Sequence, residues 1–105
     1  MVKEISSDNF EQEVVNSDVP VLIDCWAPWC MPCRIVSPVV EEVSNEYVGK
    51  VKFGKLNVDE NQEVAVRFGI MSIPTLLILK ENKLVDQIIG AVPKQTIKKK
   101  LDNIL

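Results

Sequence analysis

The sequence predicts an α/β fold in which a central mixed sheet of about five strands is flanked by helices on both faces. Three observations lead there. The run VPVLIDCW, Val19 to Trp26, is apolar but for Asp24 and rich in branched residues, as suits a strand buried on both faces. A stretch with helical periodicity separates it from a second apolar run, and strand, helix, strand within one sheet implies a parallel pair with a right-handed crossover. Finally, PTLLILKENKLVDQIIG reads as two strands around a tight turn, an antiparallel hairpin.

In chain order, alternation predicts a short strand over Val2 to Ser6. Asp8, with Glu11 three residues later, has the spacing of a capping box and opens a helix. Val19 to Trp26 follows as the central strand. From Cys30 onward, Val36, Val39, Val40, Val43 and Tyr47 recur on one helical face; Gly49 can end that helix, and Pro38 inside it predicts a kink. KVKFGKLNV is the next strand, followed by a short helix from Glu63 to Phe68 that stops at Gly69. The hairpin turns at Glu81-Asn82-Lys83, where Asn82 tolerates the left-handed conformation. A last helix has Pro93 near its first turn and Ile97, Leu101 and Ile104 on one face. Without repeats, low-complexity tracts or linker-like runs, residues 1–105 are expected to form one domain.

Hydrophobic residues make up 47% of the 105 and charged residues 26%, the mix of a globular chain. A net charge of -3 with no basic stripe argues against nucleic acid, and Lys98, Lys99 and Lys100 read as the solvated side of the last helix. No run approaches the roughly 18 apolar residues of a membrane span. The opening MVKEISSDNFEQEV lacks the apolar core and cleavage site of a secretory signal, which predicts the cytosol. Thiols are kept reduced there, so three cysteines without a histidine suggest a catalytic or metal-binding role rather than a disulfide scaffold.

The chemistry concentrates in WAPWCMPCR. Cys30 and Cys33, at i and i+3, share one helix face and can close a disulfide. Cys30 begins the helix, so its sulfur lies among unpaired backbone N–H groups at the positive end of the dipole, and both favour thiolate. Cys30 is thus the candidate nucleophile and Cys33, one turn further in, the resolving thiol. Pro32 stiffens the first turn at no cost in hydrogen bonds. Asp24 interrupts the apolar strand and is the candidate base for Cys33, with a pKa raised by desolvation. Lys55, on the adjoining strand, is placed to tune its charge.

Cys25, Cys30 and Cys33 also have the C-x4-C-x2-C spacing of three iron–sulfur ligands. A fourth cysteine is missing, and so is a histidine for zinc, so no metal is expected. Cys25 faces the opposite side of the sheet from Asp24 and reads as a small buried hydrophobe.

Together, WAPWCMPCR, the preceding Asp24, KLNVDEN and IPTLLILK resemble the thioredoxin family over essentially the whole chain. The resemblance implies a thioredoxin fold, no cofactor, and a protein-disulfide reductase acting as an electron carrier. It gives Cys30, Cys33 and Asp24 the same roles and implies a cis Ile73–Pro74 bond that sets Pro74 against the cysteines. Trp29, Val58, Ile73, Gly90 and Ala91 match the apolar surface on which such proteins dock targets, and Trp26 matches a packing tryptophan. Expected partners of this monomer are thioredoxin reductase and disulfide-containing target proteins. Met31 stands where the family usually has glycine, Cys25 where an aromatic is common, and Met71-Ser72 where a basic residue and glycine are usual. Met31 therefore joins Pro32 and Lys55 as a residue expected to tune the redox potential. Two other readings are an oxidase or isomerase of the same fold, and a binding module whose thiols are incidental. With no histidine between the sulfurs to stabilise the thiolate, the pair should give electrons rather than take them.

Overall fold

A strand that is almost wholly apolar needs cover on both faces, and the centre of the fold is built around one. The computed structural model describes residues 1–105. Its strands are β1 (Lys3–Ile5), β2 (Val21–Trp26), β3 (Lys52–Asn57), β4 (Thr75–Lys80) and β5 (Lys83–Ile89). They form one sheet in the order β1-β3-β2-β4-β5, with β2 in the middle and buried from Val21 to Cys25. β2 runs parallel to β3 and antiparallel to β4, so Asp24 lies opposite Lys55 on one side and Leu76 on the other.

Three helices complete the chain: α1 (Met31–Ser44), α2 (Gln62–Arg67) and α3 (Lys94–Ile104). Val36, Val40 and Val43 of α1 and Ile97 and Leu101 of α3 pack with Leu22, Phe53, Leu76 and Ile78 in one core layer. Because strand side chains alternate, Val21, Ile23, Cys25, Leu77 and Leu79 go to the other layer, with Phe10, Val14 and Val64. Each fully buried aliphatic side chain contributes about 1.5–3 kcal/mol by leaving water.

Local chemistry explains the departures from expectation. The segment before β2 is not a capped helix but a single π-type turn, Glu11–Val15, with no side-chain cap. Asp8 is exposed; Asn9 instead ties the chain to the end of β1, its Oδ1 accepting from Ser6 N at 2.7 Å and its Nδ2 donating to Glu4 O at 2.9 Å. α1 continues through Pro38 but ends at Ser44, well before Gly49 (φ 80°). Ser44 Oγ donates to Glu41 O at 2.6 Å, a side-chain bond that competes with further helix. Tyr47 therefore reaches the core from a turn, with its hydroxyl donating to Asp102 at 2.7 Å. Lys98 and Lys100 are half-buried and paired with Glu46 and Asp86, so only Lys99 of that cluster is an open solvated lysine.

The β4–β5 hairpin closes through Glu81 (φ 53°) and Asn82 (φ 61°), with Lys80 paired to Lys83. Two left-handed residues make the turn that matches strand twist, and glutamate is poorly suited to that conformation. Glu81→Asn is expected to stabilise the chain by about 0.5–1 kcal/mol, read as a higher denaturant midpoint at unchanged slope. A lower midpoint would show that Glu81 makes a compensating interaction.

Candidate active site

β2 delivers the chain to the site and α1 carries it away. Cys30 is the N-cap of α1 with an extended backbone, and its N–H donates to Ala27 O at 3.1 Å. Its Sγ accepts the N–H of Cys33 at 3.2 Å, so the sulfur occupies the place of a capping oxygen at the helix head. Cys30 and Cys33 are joined by a disulfide, with Cα atoms 5.3 Å apart. Pro32 lies in the first turn, and Arg34 donates to Pro28 O at 2.9 Å, fastening the preceding loop to the helix. Exposure alone does not separate the two cysteines, at 4% for Cys30 and 1% for Cys33. Their surroundings do: Cys30 caps the helix, whereas Cys33 lines a cleft of about 450 Å³ shared with Asp24.

Asp24 is 1% exposed because β2 alternation turns it toward α1 rather than to solvent. Ser37 Oγ donates to its Oδ2 at 3.2 Å, while Oδ1 makes no hydrogen bond. Burial pushes the carboxyl pKa up to about 6, against the opposing pull of the Ser37 hydroxyl and the Lys55 charge. Lys55 makes no ion pair with it; its Nζ lies 5.8 Å from the centre of the half-buried Trp26 ring, and both residues line the cleft. On the other face of the sheet Cys25 is fully buried, and desolvation, with a lesser contribution from the Asp24 charge, pushes its thiol pKa up.

Above the disulfide is an apolar rim. Trp26, Val58 and Ile73 pack around Ala27, Cys30 and Cys33. The Ile73–Pro74 peptide bond is cis, Pro74 is buried, and Pro74 O accepts the N–H of Gly90 at 2.8 Å, which sets Gly90 and the exposed Ala91 beside it. Trp29 is 67% exposed, yet its indole N–H is held by Asp59 at 2.8 Å. With Val58, Ile70, Met71 and Ile73 it lines a groove of about 430 Å³. Met31 is exposed at the first helical position but does not line that groove. Sequence reasoning missed two participants, Ser37 and Asp59. The i, i+4 spacing from Cys33 could have pointed to Ser37; nothing local marks Asp59 as the partner of Trp29.

Comparison with known proteins agrees with this geometry. The thioredoxin family model matches residues 1–103. The chain is 53% identical to thioredoxin 1 of Nostoc sp. over 102 residues, covering 97% of this chain and 95% of that protein. Identity to the thioredoxin of Synechocystis sp. is 52% over 102 residues, with the same coverage of 97% and 95%. For the thioredoxin of Porphyra purpurea it is 49% over 104 residues, covering 99% and 97%. Similarity of that depth over nearly every residue, with a disulfide closed at the head of α1, means that the chain belongs to the thioredoxin family and is a protein-disulfide oxidoreductase.

Proposed function

We propose that the chain runs as a reductant: it opens disulfides in target proteins through Cys30 and Cys33, and thioredoxin reductase restores the dithiol. Reduced Cys30, with a backbone N–H directed at its sulfur, is the nucleophile. Its thiolate attacks a target disulfide; that bond breaks, a Cys30–target bond forms, and the leaving target thiolate takes a proton from solvent. Asp24 then accepts the proton of Cys33. The Cys33 thiolate attacks Cys30 Sγ, the Cys30–Cys33 bond forms, and the second target thiolate leaves to be protonated. Two electrons have passed to the target, and Asp24 returns its proton to solvent.

The observation that carries this reading is a buried, half-satisfied carboxylate lining the same cleft as the inner cysteine. With a pKa of about 6 it is mostly ionised at neutral pH and close enough to neutrality to work as a general base. Trp29, Val58, Ile73, Pro74, Gly90 and Ala91 form the docking rim for an extended target segment. Met31, Pro32 and Lys55 tune the potential: Pro32 by stiffening the first turn, Lys55 through the charge it presents to Asp24, and Met31 by adding an apolar side chain next to the sulfurs. The unit 1–105 acts as one domain and a monomer in the cytosol, where a reducing pool sustains the cycle.

The test is equilibration with glutathione. A reductant remains mostly disulfide at a glutathione ratio where an oxidase or isomerase is mostly dithiol. The expected result is retention of the Cys30–Cys33 bond, together with faster reduction of insulin by dithiothreitol. A pair that is mostly dithiol under those conditions overturns the reductant assignment in favour of an oxidase.

A further inference from the structure

Ser37 follows Cys33 by one helical turn, and residues four apart lie on the same helix face. That face of α1 looks into the cleft, where Cys33, Ser37, Asp24 and Lys55 meet. A serine inside a helix commonly bonds back to a carbonyl of the preceding turn. Here its hydroxyl reaches across to β2 and gives the Asp24 carboxyl its only hydrogen bond, at 3.2 Å on Oδ2, while Oδ1 is unpartnered and buried.

We propose that Ser37 is a positioning residue for the proton transfer: by holding Oδ2 it leaves Oδ1 as the oxygen that receives the Cys33 proton, and it sets the pH at which that oxygen becomes available. The inference rests on Asp24 being the base for Cys33. An aspartate carboxyl turns broadly about its last bond, so without a fixed donor either oxygen can face the thiol. A donor to the ionised carboxylate also favours ionisation.

The other charged groups around Asp24 cannot replace it. Lys55 faces Asp24 from β3 but forms no ion pair with it. From α1, Arg34 is committed to Pro28 O, and Glu41 is an acid. β4 meets Asp24 with Leu76, which carries no charge. Cys25, next in the strand, points to the opposite layer.

Ser37→Ala removes the donor while suiting a helix, so the fold should persist. The step to measure is release of target from a preformed Cys30–target mixed disulfide, followed from acid to neutral pH. Its rate should rise as Asp24 ionises. The midpoint is expected to move up by roughly one pH unit in Ser37→Ala, since a hydrogen bond to a charged group is of that order. Near the original midpoint, release slows severalfold. Ser37→Thr keeps a hydroxyl and should return the midpoint toward its original value. Infrared titration of the Asp24 carboxyl should show the same displacement without any chemistry taking place.

If Asp24→Asn removes the pH-dependent limb but Ser37→Ala leaves both midpoint and infrared titration unchanged, the role of Ser37 is refuted while Asp24 remains the base. Should Asp24→Asn leave release untouched at every pH, the base assignment fails and this inference fails with it.

Discussion

Replacing Cys30 with serine is expected to lower insulin reduction by at least about a thousandfold, to the background set by dithiothreitol alone. An alcohol at the head of α1 stays protonated where a thiol ionises, so the hydrogen bond from Cys33 N and the helix dipole have no anion to stabilise. The informative comparison is with Cys33→Ser. That variant keeps the nucleophile and loses the resolving sulfur, so it should stop at the mixed disulfide and accumulate as a covalent adduct visible by mass. Cys30→Ser should form none. The two cysteines differ by only a few per cent in exposure, so accessibility alone would not produce this asymmetry. An adduct through Cys33 in the Cys30→Ser chain would reverse the assigned roles.

The largest gain in stability is expected from Asp24→Asn. Burial lifts the carboxyl pKa from the ordinary 3.8 to about 6. Between those values the folded chain binds a proton that the unfolded chain has released. The contribution of this group to stability is therefore greatest below the unfolded pKa, declines as pH rises through the interval, and is lowest above the folded pKa. The full difference is worth roughly 3 kcal/mol for so deeply buried a group. Asparagine removes it but leaves part of an amide unsatisfied, so a net gain of about 2 kcal/mol is expected near pH 7.5. In oxidised protein, denaturant unfolding should show that gain shrinking toward zero by about pH 4. Equal stability of the two chains near pH 7.5 would mean that the carboxylate is satisfied by groups other than Ser37 and Lys55.

That expected cost sets Asp24 apart from its neighbours, and the conflict was legible early: a lone carboxylate in VLIDCW contradicts the strand around it. β2 itself was equally plain, since a branched apolar run between polar segments has few other uses. The cysteine pair declared its place through Pro32 and the helical spacing that follows. What escaped sequence reading depends on distance across the fold. Ser37 and Asp24 are 13 residues apart on different elements, and Trp29 and Asp59 are 30 apart. Asp8 has the type and spacing of a cap, yet the turn has no side-chain cap, and the neighbouring Asn9 bonds back to Ser6 and Glu4 at the end of β1, which spacing alone does not show. Gly54 gave no readable signal as a strand residue, yet a Cβ there would collide with the side chain of Ile5 on β1. The early end of α1 turns on a hydroxyl at Ser44 that periodicity cannot weigh.

Cys25 gives the molecule an internal gauge. Sealed in the layer opposite the site, with its ionisation suppressed, it is shut off from alkylating reagents while the fold is intact. Labelling of the native chain therefore counts only the working pair, none when oxidised and both when reduced. A third label records molecules that have opened their interior, so one mass spectrum separates electron load from loss of structure.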